Sequence, residues 1–189
     1  MKEHNLKFPK IDKSWTLFLD RDGVINEKIE NGYVLNVKMF KFIDGVLDAF
    51  PVLNEIFGRI IIVTNQRGIG KGLMSEKDLE EIHNYMLEEI NKVNCRIDAI
   101  FYCPHDYEKE ECNCRKPNIG MALQAKSMFP DIDFKKSIVV GDSMLDIEFA
   151  KNIKAYSVLI VEDYKPNIEF LSFKSLYDFA CFLLDKRIN

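Results

Sequence analysis

The stretch Leu17-Phe18-Leu19-Asp20-Arg21-Asp22-Gly23-Val24-Ile25-Asn26 decides how the rest of the chain is read. An apolar run ends in two carboxylates one residue apart, and a glycine follows them. A strand that leaves its sheet at Asp20 would present both acids to a ligand, and Gly23 would let the backbone turn tightly behind them. Taken alone, an Asp-x-Asp-Gly segment also reads as a polar turn or a fragment of a calcium loop, although the later ligands of an EF-hand are missing.

Two further stretches repeat the pattern. Ile60 to Thr64 is an apolar run ending in a hydroxyl, followed by Asn65, Gln66, Arg67 and the glycines 68, 70 and 72. A strand-end hydroxyl and exposed backbone amides suit phosphate oxygens. No Gly-Lys-Ser/Thr follows, so this is not a P-loop, and an ordinary glycine loop would look the same. Ile138 to Gly141 runs into Asp142, which with Asp20 offers the hard oxygen donors that Mg²⁺ takes. Asp146, one helical turn beyond, reads equally as a metal ligand or as a first-turn acid that complements a helix dipole.

Around these stretches, short β-branched runs alternate with longer helical patterns, the rhythm of βαβ units and a parallel sheet. The runs predict strands at 15–20, 59–65, 97–103, 137–142 and 155–161, and helices near 45–57, 75–93, 119–129, 143–152 and 174–187. Ser75 is placed to cap the second helix, whose apolar stripe is Leu79, Ile82, Met86 and Ile90. Pro51 weighs against the first, since a mid-helix proline breaks or kinks a helix. Ligands bind outside the carboxyl ends of the strands in such sheets, so Asp20, Thr64, Cys103 and Asp142 should converge on one crevice.

A length of 189 residues suits a single domain, 1–189, with 47% hydrophobic and 30% charged residues. A net charge of -4 argues against a broad nucleic-acid or anionic-membrane surface. Lys2, Lys7, Lys10 and Lys13 precede no long apolar segment, and no run reaches a membrane span, so a cytoplasmic location is expected.

Of the five cysteines, at 95, 103, 112, 114 and 181, three fall within twelve residues. Cys103-Pro104-His105, six residues, then Cys112-Asn113-Cys114 supply three thiols and an imidazole. That is a complete tetrahedral Cys₃His zinc set with no open position, which makes the zinc structural and the irregular segment 103–117 a zinc loop.

The three strand-end stretches, in this order, resemble the motifs of the haloacid dehalogenase superfamily, over residues 15–152. The resemblance implies that Asp20 is a nucleophile forming an aspartyl phosphate and Asp22 the general acid/base. It further implies that Thr64 binds the phosphoryl group, and that Asp142 ligates Mg²⁺ beside Asp20 and the backbone carbonyl of Asp22. Phosphoryl transfer needs positive charge around its oxygens, and Cys114-Arg115-Lys116-Pro117 offers it: Lys116 for the phosphoryl group, Arg115 for a substrate anion. Asn65, Gln66 and Arg67 are expected to bind substrate.

The zinc loop followed by Cys-Arg-Lys-Pro is similar to that of the heptose 1,7-bisphosphate 7-phosphatases and the related histidinol-phosphate phosphatases. This implies a Mg²⁺- and Zn²⁺-containing, monomeric hydrolase acting on a sugar phosphate, the heptose bisphosphate first, on the route to activated heptose for lipopolysaccharide, capsule or glycoprotein. Ser143 and Arg67 depart from the pattern, which often has a cation after the last Asp and a Ser after Thr-Asn-Gln. The implied fold is a three-layer α/β sandwich with a parallel sheet in the order 5-4-1-2-3. No large cap domain is expected, because the loop after Asn26 reads as short. A zinc-stabilised binding protein without activity is the rival, which would have no need of Asp20 and Asp22 together.

Overall fold

A computed structural model describes residues 9–162 and 170–188. Lys2 and Lys7, which entered the reading of the N-terminus, lie outside the described residues. The strands are β1 Thr16–Leu19, β2 Arg59–Asn65, β3 Ala99–Cys103, β4 Ser137–Gly141, β5 Tyr156–Ile160 and β6 Leu171–Phe173. The helices are α1 Val46–Ile56, α2 Glu76–Lys92, α3 Gly120–Met128, α4 Met144–Ile153 and α5 Leu176–Ile188.

All strand pairs are parallel, in the order β3-β2-β1-β4-β5-β6. This is the expected order with one strand added at the β5 edge. β6 went unread because three residues, Leu171–Phe173, are too few to show a period-2 pattern.

Side chains alternate across the sheet and divide the core in two. Leu17, Leu19, Ile60, Ile62, Ile138 and Val140 pack with α1, α2 and α5 on one face. Phe18, Ile61, Val63 and Val139 pack with Met121, Ala122 and Ala125 of α3 and Phe149, Ala150 and Ile153 of α4 on the other. Strands buried on both faces read as unbroken apolar runs, which is how these appeared in the sequence. No helix among the described residues is long and apolar enough to cross a membrane.

The helix expected near 45–57 forms as α1 and runs through Pro51. Pro51 is exposed while Val46, Ala49, Phe50, Leu53 and Ile56 are buried, so the buried face holds the helix. One local expectation is corrected. The connection after Asn26 is not short: residues 27–45 intervene before α1, with one 3-10 turn at Val37–Met39. It forms no cap domain. α2 follows the prediction, with Ser75 and Asp78 exchanging cap hydrogen bonds.

Register sets the position of the site. Leu19 lies beside Ile62 of β2 and Val140 of β4, so Asp20, Thr64 and Asp142 emerge at one edge of the sheet. α1 shares one core cluster with the strands that carry these ends. Phe50 is fully buried, and Phe50→Ala is expected to cost about 3–5 kcal/mol of unfolding free energy. Denaturant titration followed by circular dichroism measures it, and a loss below about 1 kcal/mol would show that this contact is not central.

Candidate active site

A cavity of about 210 Å³ opens at that edge, lined by Asp20, Asp22, Thr64, Asn65, Arg115, Lys116, Asp142 and Ser143 on the sheet side. Lys28, Ile29, Gly32, Tyr33 and Val34 of the 27–45 connection wall the other side. The chain turns away from the sheet after Asp22 at Gly23, whose φ is 84° and whose missing Cβ leaves room for the Asp142 carboxylate. Gly141 likewise leaves room for Asp146, since a Cβ there would overlap that side chain.

Lys116 is the centre of charge. Its side chain is 2% exposed, and its Nζ lies 3.0 Å from Asp20 Oδ1 and 2.5 Å from Asp146 Oδ1. Asn65 holds its backbone at two points, accepting from Lys116 N at 3.0 Å and donating to Lys116 O at 3.3 Å. Burial pushes the Asp20 carboxyl up to about 7, aided by Asp146, Asp22 and Asp142 and opposed by the Lys116 cation. The Lys116 ammonium loses hydration too, but Asp20 and Asp146 outweigh that loss and raise its pKa.

Asp22 is held differently. Nη2 of the fully buried Arg21 donates to both of its oxygens at 2.9 Å, and Asn26 Nδ2 and Gln66 Nε2 each donate at 2.9 Å. Burial favours the neutral acid, but the Arg21 charge and these hydrogen bonds prevail and keep the carboxyl below its ordinary range. Gln66 Nε2 also donates to Thr64 Oγ1 at 2.9 Å, so the Thr64 hydroxyl proton is left for a ligand oxygen.

Carboxylate oxygens of Asp20, Asp142 and Asp146 lie within 4.8 Å of one another, a hard-oxygen group suited to a divalent cation. Lys28 Nζ lies 2.5 Å from Asp142 Oδ2 and supplies local positive charge. Asp146 has both roles left open by the sequence in view: its Oδ2 accepts from Ser143 N and Oγ at the start of α4, and its Oδ1 accepts from Lys116. Ser143 is thus engaged in the helix start.

The cysteine loop closes as its spacing suggested. Cys103 Sγ lies 2.8 Å from Cys114 Sγ and 3.5 Å from Cys112 Sγ, and His105 Nδ1 lies 3.0 Å from Cys114 Sγ. All four donor atoms fall within 4.8 Å of one another. A second, wider groove of about 840 Å³ lies over this loop and shares Arg115, Lys116 and Leu145 with the first.

Not every expected substrate contact reaches the cleft. Arg67 is turned into the cysteine loop, with Nη2 2.5 Å from Asp106 and 2.7 Å from Glu108, and does not line the cavity. Gln66 is 1% exposed and serves Asp22 and Thr64. Arg115 does reach the cleft, and its Nη1 is buried without a hydrogen-bond partner. Sequence reasoning missed Lys28, Tyr33, Arg21, Asn26 and His83. Of these, Arg21 and Asn26 carried a signal, by lying inside the stretch Leu17 to Asn26.

Comparison with known proteins places these features in a family. A family model described as polynucleotide kinase 3 phosphatase matches residues 16–159. A D-glycero-α-D-manno-heptose-1,7-bisphosphate 7-phosphatase of Campylobacter jejuni is 38% identical over 177 residues, 93% of this chain and 99% of the relative. The Haemophilus influenzae protein named for the β anomer is 40% identical over 155 residues, 79% of this chain and 83% of the relative. The crystal structure of a D,D-heptose 1,7-bisphosphate phosphatase from B. bronchiseptica, complexed with magnesium and phosphate, superposes with a TM-score of 0.80 at 27% identity, covering 91% of this chain and 99% of that one. The chain belongs to the haloacid dehalogenase superfamily of phosphatases and, within it, to the family of the heptose 1,7-bisphosphate 7-phosphatases. It is a phosphoric monoester hydrolase.

His83 supplies a measurable consequence of this packing. Burial first, and then the Arg21 guanidinium 3.4 Å away, together lower its pKa from 6.5 to about 3. As pH falls below 6.5 the unfolded chain takes up a proton that the folded chain refuses, so this group's contribution to stability is lost on the acid side. Asp20 acts in the opposite sense across the same window, but its effect is common to wild type and a His83 variant. Between about pH 7.5 and pH 5, wild type should lose up to about 2 kcal/mol more than His83→Gln, measured by urea titration without added magnesium. Parallel pH profiles for the two proteins would contradict a neutral, buried His83.

Proposed function

We propose that this chain is one cytoplasmic, monomeric phosphatase domain spanning 1–189 that removes the 7-phosphate of a heptose 1,7-bisphosphate. The observation that carries the reading is Arg115: a buried, unpartnered guanidinium nitrogen stands at the mouth of the cleft, one residue from the Lys116 that serves the reacting phosphate. A second anionic group on the substrate would satisfy it, and a charge-assisted pair there adds to the affinity for that substrate. The naming of the relatives supports the same substrate.

In this reading an oxygen of Asp20 attacks phosphorus, the bond to the sugar O7 breaks, and Asp22 gives a proton to the departing alkoxide. Asp22 then takes a proton from water, which attacks the aspartyl phosphate and releases inorganic phosphate with Asp20 restored. Asp22 rests as a carboxylate because of Arg21, Asn26 and Gln66. A phosphate dianion brought beside it favours the protonated form, which is the form the first step uses. Lys116 and the Thr64 hydroxyl hold the phosphoryl oxygens, and Asn65 fixes Lys116.

The donor sets suit two metals. Asp20, Asp142 and Asp146, with the backbone carbonyl of Asp22, are the candidates for Mg²⁺, which when bound supplies charge stabilisation to the phosphoryl oxygens and favours an ionised Asp20. The magnesium and phosphate in the B. bronchiseptica complex support this assignment. Cys103, His105, Cys112 and Cys114 bring three thiols and an imidazole together and would hold Zn²⁺, which would supply a structural crosslink to the loop. The 103–117 loop would then be ordered by zinc and would aim Arg115.

Three measurements test this. Asp20→Asn should fold and lose phosphate release to below about a thousandth of wild type; near-normal turnover would end the nucleophile assignment. Protein purified without chelator should contain one zinc per chain by elemental analysis, and none would exclude the zinc loop. The kcat/KM for heptose 1,7-bisphosphate should exceed that for histidinol phosphate by about tenfold or more, equivalent to about 1.4 kcal/mol. Assays of both anomers and of a 3′-phosphorylated oligonucleotide complete the panel, and a preference for either non-heptose substrate would overturn the assignment.

A further inference from the structure

Arg67 is the residue of the glycine-turn motif that the cleft does not use, and its surroundings explain what it does instead. Its side chain is 8% exposed and is neutralised by Asp106 at 2.5 Å and Glu108 at 2.7 Å. Between those two acids in sequence stands Tyr107, whose ring centroid lies 3.9 Å from the Arg67 guanidinium carbon. The same ring lies 4.5 Å from the guanidinium carbon of Arg115.

Arg115 has no ion pair with a carboxylate among the described residues, and its Nη1 is buried without a partner. A long arginine side chain would keep considerable rotamer freedom in such a place. The Tyr107 ring is the contact that limits it, and a planar guanidinium over an aromatic face is held in one plane as well as attracted. With Arg67 neutralised by its two acids, the ring is anchored on one cation without leaving an unopposed charge to repel the second. Tyr107 and Arg115 both border the wide groove that joins the cleft through Arg115, Lys116 and Leu145.

We propose that Tyr107, fixed by the Arg67–Asp106–Glu108 ion-pair group, is a positioning residue that presents Arg115 to the distal phosphate of a bisphosphorylated substrate. This rests on the reading of Arg115 given above and deepens it: discrimination for a second phosphate depends on an aromatic platform in the zinc loop as well as on the arginine. Tyr107 touches no reacting atom, so its effect falls on KM for the bisphosphate and not on kcat.

The test compares heptose 1,7-bisphosphate with heptose 7-phosphate, in the presence of Mg²⁺, for wild type, Tyr107→Leu, Tyr107→Phe, Arg115→Ala and the Tyr107→Leu/Arg115→Ala double variant. Zinc content and thermal melting are measured on each, so that an unravelled loop is recognised. Tyr107→Leu should raise KM for the bisphosphate about fivefold while leaving kcat and the monophosphate KM within about twofold. Tyr107→Phe, which keeps the ring, should match wild type. In the Arg115→Ala background Tyr107→Leu should add nothing, because the residue acts through Arg115. Equal losses on both substrates, a Phe variant as damaged as the Leu variant, or a full effect surviving in the double variant would overturn the platform. A bisphosphate preference lost in Arg115→Ala but kept in Tyr107→Leu overturns the platform alone. A preference untouched by Arg115→Ala removes the bisphosphate reading and the platform with it.

Discussion

The ammonium of Lys116, enclosed between Asp20 and Asp146, is the interaction on which the rest of the site depends. Two carboxylates and one ammonium at the buried edge of a sheet would each be costly alone, and together they compensate one another. Around this triad the other groups are arranged in layers of support. Asn65 at the end of β2 clamps the lysine's backbone, Ser143 at the start of α4 occupies the far oxygen of Asp146, and Gly141 gives Asp146 the space to sit there.

The two neighbouring acids, Asp20 and Asp22, have been given opposite environments. Burial and nearby carboxylates push Asp20 up, whereas Arg21, Asn26 and Gln66 hold Asp22 down in spite of its burial. Such a divergence of two titratable groups in one cleft is the arrangement by which a fold assigns different chemical roles to like residues. The buried Arg21 that makes the difference is itself braced by His83 from α2, so the helix packing on one face of the sheet reaches into the chemistry at its edge.

The loop 103–117 connects the charged cleft to the wider groove beside it. Its cysteines close a small ring at the end of β3, and the chain leaving that ring delivers Arg115 and Lys116 to the cleft in succession. The acidic pair Asp106 and Glu108 on the same loop captures Arg67 from the glycine turn after β2. Two loops from adjacent strands are thereby tied together by an ion-pair group, beside the Tyr107 ring that also meets Arg115. The connection from Lys28 to Val34 closes the opposite wall with a cation of its own.

Much of this was legible in the chain as letters. Apolar runs ending in Asp20, Thr64 and Asp142 placed the sheet and its functional edge, because strands buried on both faces leave unbroken hydrophobic signatures and strand ends are where polar residues resume. The Cys₃His spacing likewise declared itself locally. The existence of β6 was decided by packing, since a neighbouring strand edge is not a property of the segment itself. The fate of Arg67 was equally invisible: a cation just beyond a strand-end Thr-Asn-Gln points toward the cleft on paper, but the acids that capture it lie some forty positions away. Sequence alone determined which residue types stand at the strand ends, because that follows from local periodicity and composition. Tertiary structure alone decided which charges meet, because ion pairs such as Lys116 with Asp20 and Asp146 join segments that only the folded sheet brings within reach.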